Sequence, residues 1–163
     1  MSTETPTASL ASFIPVSAFL DHWQGHRRLT RSVIEAFPED KLFTFAIGGM
    51  RPFGAMAMEL LAIAEPTVRG VLTDAWEDIK PEAVVPKAEV LRQWDEATRR
   101  LDELFPQIPA ARFHESMMAF GLYPGTGYHI LLYAIDNEIH HRGQGYVYLR
   151  ALGIEPPGFY DRE

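Results

Sequence analysis

From about Ile14 onward, apolar residues recur at alternating steps of three and four. Val16, Phe19, Trp23, Val33 and Phe37 lie on one line, with His26 and Thr30 interrupting its middle. That spacing predicts a helix with one face turned into a bundle interior. The stretch "FPEDK" ends it, Pro38 being unable to continue the helix. A loop through "AIGGMRP" leads to a second helix that begins near Pro52, where Pro66 should kink it or split it in two. A third helix is predicted from roughly Lys87 to Phe105, with Leu91, Trp94, Leu101 and Leu104 on its buried side. The segment "PQIPAARFHESMMAFGLYPGTG" reads as mostly irregular, with one short helical turn at most. Thr126 is placed to cap a last helix from about Tyr128 to Leu152, which would be about 37 Å long. Gly153 follows in the position where helices commonly end. No alternating strand pattern and no internal repeat is visible. The expected fold is therefore all-α: a four-helix bundle with long connections, formed by residues 13–163 as one domain. Residues 1–12 are expected to be a disordered tail.

Polar residues that fall on an inward-facing line are the informative ones. Glu59 is the only ionisable residue between Phe53 and Ala64 and shares a helix face with Met56, Leu60 and Ile63. A carboxylate drawn into such surroundings must take a proton, a cation or a metal, or else pair with an arginine such as Arg142. On the last helix, Ile130, Ala134, Asn137, His141, Tyr148 and Leu152 follow one face that is apolar at its ends and polar at its centre. An imidazole and an amide oxygen one turn apart can hold an ion between them, or they can be hydrogen-bonded core residues. His26 and Thr30 either line the same cavity, together with Tyr148, or are core polar groups satisfied by backbone. His140 points about 100° away from His141, so the two cannot serve one ion. Arg142 faces toward Glu138 and is expected to anchor structure. Gly143 and Gly145 are unfavourable inside a helix and imply close approach of another helix or chain.

Composition narrows the chemistry further. The chain has 163 residues, a formal charge of −7 and no cysteine. The acidic balance argues against nucleic acid as the main partner, and the missing thiols exclude disulfides and a cysteine nucleophile. No apolar stretch is long enough to span a bilayer and no secretory leader is visible, so a soluble, cytoplasmic protein is expected. Neither "GGM" nor "PGTG" has phosphate-loop spacing, and G-x-S-x-G and H-E-x-x-H are absent.

The closing stretch "DNEIHHRGQGYVYLRALGIEPP" resembles the last helix of the DinB superfamily, damage-inducible-like four-helix proteins that include the YfiT-like bacillithiol S-transferases. "MRPFGAMAMELLAIAEPTVRG" resembles the family's second helix, and the likeness covers essentially the whole chain. The resemblance implies a site of three histidines, one on the second helix and two at H-x-x-x-H on the last. Only His141 matches; Asn137 and Glu59 stand at the other two positions. Such a set implies a divalent metal with harder ligands than the family norm. The resemblance then implies a metal-dependent transferase acting with a low-molecular-weight thiol, or a hydrolase, with Glu59 as general base if it is not a ligand. The alternative is a non-catalytic small-molecule-binding or stress-response module that has lost its metal. A homodimer is expected in either case.

Overall fold

The structure, a computed structural model, describes residues 14–77, 80 and 84–163. The expected tail over residues 1–12 lies outside them. Four helices make the frame: α1 (Val16–Ala36), α2 (Phe53–Thr73), α3 (Lys87–Leu104) and α4 (Gly127–Ala151). Pro15, Pro52 and Pro86 immediately precede the first three, each with φ near −58°. A proline there fixes the entry angle and gives up an N–H that the first turn cannot use. The fourth helix starts differently: the Thr126 hydroxyl accepts from the His129 backbone N–H. Gly153 follows it at φ 76°, left-handed backbone that favours glycine.

The helix over α2 continues through Pro66 and is not split. Proline removes one N–H donor, here the one that would reach Ala62, but the apolar face carrying Ala64, Val68 and Val71 stays buried on both sides of it. Burial of that face outweighs the lost bond.

Between α3 and α4 the chain is more regular than its sequence suggests. Two 3-10 turns, Phe105–Gln107 and Ala110–Phe113, lead into an antiparallel hairpin of β1 (Ser116–Ala119) and β2 (Tyr123–Thr126). Met118 pairs with Pro124 and Ala119 with Tyr123. The hairpin turns at Phe120 and Gly121, both at positive φ. Its strands are too short for a two-residue period to stand out, and Pro124 and Gly125 read as loop. Only Met117 and Ala119 turn inward from β1.

The core falls into two apolar clusters. One gathers Phe19, Trp23, Val68, Leu101, Phe105 and Leu131; the other gathers Val33, Phe37, Phe53, Met56, Trp94 and Leu149. On α1 and α4, a polar layer of Arg27, Thr30, Glu138 and Arg142 comes between the contributions to the two clusters. Among the described residues no helix is long and apolar enough to cross a membrane.

Candidate functional site

Glu59 on α2 and His141 on α4 meet: His141 Nε2 lies 3.3 Å from Glu59 Oε1. The second carboxylate oxygen is held by Arg51, whose Nη1 is 2.5 Å from Oε2. Arg51 stands just before α2, and its backbone carbonyl accepts a 2.9 Å hydrogen bond from the Tyr148 hydroxyl. Tyr148 is fully buried, so α4 fixes the backbone from which the guanidinium reaches Glu59. Burial alone would raise the Glu59 carboxyl pKa. The hydrogen bond and charge of Arg51, with those of His141, outweigh it and hold the carboxyl below its ordinary value. Burial likewise lowers the His141 imidazole, against the pull of Glu59. A neutral ring donating from Nε2 to Glu59 leaves Nδ1 unprotonated, and that nitrogen is buried without a protein partner.

Glu59 is half-buried and lies on the boundary of two adjoining cavities. One, of about 340 Å³, is mainly apolar and is walled by Ile63, Phe120, Tyr123, Ile130 and Tyr133. The other, of about 420 Å³, is polar and adds Arg51, Asp136, Asn137, His140 and His141. Glu59 and Tyr133 line both, so the two form one cleft between α2 and α4 with the hairpin at its apolar end. Asn137 thus borders the polar half beside His141, one helical turn away, as its spacing predicts.

The donor set does not fit a divalent cation. Both Glu59 oxygens and the His141 Nε2 are committed to one another and to Arg51. Arg51 holds one oxygen of the carboxylate and His141 the other, and the guanidinium charge beside them repels a cation. Among the described residues, no group of three His, Asp or Glu side chains gathers in a way that could hold a metal ion.

The remaining predicted residues sit elsewhere. His26 and Thr30 do not border the His141 cavity; they belong to the buried layer between α1 and α4. There the Glu138 carboxylate accepts from Thr30 Oγ1 at 2.6 Å and from Trp23 Nε1 at 3.1 Å. Arg27 Nη1 lies 3.9 Å from the same carboxylate, and the Arg27 guanidinium rests over the Trp94 ring at 4.2 Å. Arg142 donates to Thr30 Oγ1 and to the His26 carbonyl, both at 3.1 Å, and to His26 Nδ1 at 2.9 Å. Arg142 therefore anchors structure and is not the partner of Glu59. Tyr148 is core, not cavity wall, since its ring edge packs on Phe45 and its hydroxyl is spent on Arg51.

Among the described residues the fully enclosed acid is Glu138, not Glu59. The signal for it was present on a neighbouring line of α4: Leu131, Ile135, Glu138, Arg142, Gly145 and Leu149 are all buried and follow steps of four and three. Gly145 on that line lets Phe53 approach; a Cβ there would stand 2.7 Å from the Phe53 ring. Gly143 has open space instead.

Comparison with known proteins agrees with this architecture. The DinB family model matches residues 1–163. The chain superposes on a DinB-like protein from Bacillus cereus with a TM-score of 0.73 at 18% identity, covering 91% of this chain and 100% of the other. It superposes on the DinB-like protein YjoA from Bacillus subtilis with a TM-score of 0.69, also at 18% identity, covering 89% and 98%. No curated protein matches the sequence.

Proposed function

The chain belongs to the DinB family, and on that footing we propose that its α2–α4 cleft binds a small organic molecule without a resident metal ion. One observation carries the reading: Glu59 and Tyr133 border both the apolar cavity and the polar one, so a ligand can bridge the two. An apolar body fits against Ile63, Phe120 and Ile130 under the hairpin. Its head then meets the Asp136 carboxylate and the Asn137 side chain, the Glu59 oxygens being already shared by Arg51 and His141. That balance favours an amine or another hydrogen-bond donor.

Base chemistry is poorly served by this arrangement. A carboxylate held below its ordinary pKa stays ionised and accepts a proton weakly at neutral pH. The competing reading, an ion on His141, Asn137 and Glu59 serving a thiol transferase or hydrolase, has to place that ion beside the Arg51 guanidinium that already holds Glu59.

Amide spectra of tag-free protein in chelator, titrated with phenethylamine and with the neutral phenethyl alcohol, test the proposal. Expected are shifts confined to the surroundings of Glu59, Ile63, Phe120 and Tyr133, larger for the amine. Binding that appears only after manganese or zinc is added would replace this reading with the metal-dependent one.

A further inference from the structure

A second hollow, of about 500 Å³, lies between α1 and α4 beside the C-terminal tail, and it shares no lining residue with the α2–α4 cleft. Its walls are apolar, from Ile139, Tyr146 and Phe159. Its polar groups are cationic or neutral: Arg142, Arg162, His22 and His26. Among the described residues no carboxylate lines it. Asp161 acts on the Tyr146 phenol from outside the lining, and Glu138 lies behind Arg142.

Two donors on residues that line this hollow are enclosed behind its wall without an acceptor, and reach it only when their side chains turn. The Tyr146 hydroxyl and the Arg162 Nε are both buried and lack a protein partner. Such groups are costly to leave unsatisfied, and an anion supplies acceptors to both. Behind them the polar layer sets two guanidiniums, Arg27 and Arg142, against the one carboxylate of Glu138. Asp95 and Asp102 also act on Arg27, whereas Arg142 faces a further cation, Arg162. The positive excess therefore falls on the side that opens to the hollow. His26 reports the same field: burial, then Arg142, Arg162 and His22, lower its pKa to about 4. The tail is held in place for this role. Arg28 Nε donates to the Arg162 carbonyl at 2.8 Å, and the Arg162 side chain packs over Gly25 of α1.

We propose that this hollow is a second binding site, for a small carboxylate on an aromatic or apolar body. The carboxylate accepts from Arg162 and Tyr146 beside Arg142, and the body lies between Ile139 and Phe159.

The test is an amide-spectrum titration with benzoate and with neutral benzamide, on the native chain and two variants. Benzoate is expected to shift the amides of Tyr146, Phe159 and Arg162 and to bind at least about tenfold tighter than benzamide, the scale of one charged hydrogen bond. Arg162→Gln should remove most of that preference. Gly143→Leu should abolish binding, because a side chain there meets nothing within 4 Å and fills the hollow instead of the core. It also removes a helical glycine, so the fold is kept even if Arg162→Gln loosens the tail. Equal affinity for benzamide, no saturable shift with millimolar benzoate, or unchanged binding in Gly143→Leu would overturn the proposal. So would a native dimer that Gly143→Leu dissociates while benzoate leaves the spectrum untouched, since the hollow would then be an interface between copies.

Discussion

Arg51 Nη1 lies 2.5 Å from Glu59 Oε2, and His141 Nε2 lies 3.3 Å from Oε1, so both oxygens of the carboxylate are already shared. The guanidinium neutralises the acid without the geometric demands of a metal, and Tyr148 fixes its backbone from α4.

Removing that contact should open the way to metal. Arg51→Ala combined with Asn137→His frees Glu59 and restores two histidines one turn apart, beside a carboxylate. Zinc titration followed calorimetrically should show one tight equivalent for the double variant and none for the native chain. Equally tight binding by both would mean that Arg51 yields readily to an ion.

The two acids should differ sharply in stability. Glu138→Gln strips the buried layer of its only carboxylate, leaving Arg142 without a facing acid and Arg27 to Asp95 and Asp102 alone, a loss of about 3–5 kcal/mol in urea unfolding. Glu59→Gln acts on a pair whose arginine side chain is 53% exposed, so screening limits its loss to under about 1 kcal/mol. A larger loss for Glu59 than for Glu138 would contradict the assignment of the buried acid.

Acid should destabilise the fold before most carboxylates titrate. In the folded chain His26 is lowered to about 4 from an ordinary 6.5, so between those values the unfolded chain holds more protons. Stability is complete above the ordinary histidine value and is lost as the pH falls toward the folded one. His141, also lowered, contributes with the same sign. His26→Asn keeps an acceptor for Arg142 and removes the titration. Its melting temperature should therefore fall less than the native one between pH 6.5 and about 5; parallel curves would exclude His26 as the source.

Gly143 and Gly145, in the interior of α4, should respond in opposite directions. Gly145→Ala drives a methyl against Phe53, itself stacked on Phe37 at 4.9 Å, and should cost about 1–3 kcal/mol. Gly143→Ala meets open space and should gain up to about 1 kcal/mol from helix propensity. Denaturant midpoints of the two variants decide it.

Much of the frame was legible in the chain itself. The three-and-four spacing, the prolines ahead of three helices and Thr126 ahead of the fourth are local signals, and local signals set where helices start and stop. The pairing of Glu59 with His141 was also within reach, since each interrupts an apolar face. The hairpin was not, because four-residue strands containing Pro124 and Gly125 carry no readable period.

What the sequence by itself determined is the set of helices, their ends and the presence of charges on inward lines. Beyond the pair of Glu59 and His141, which charge meets which was decided only by tertiary packing. Tyr148 of α4 fixed the backbone from which Arg51 reaches Glu59, and Glu138 was enclosed by Trp23, Thr30 and Arg27 from α1. The reason is physical: periodicity follows from the geometry of one helix, whereas ion pairing depends on the relative rotation of two. A rotation of one residue, about 100°, is enough to exchange the buried line for its neighbour.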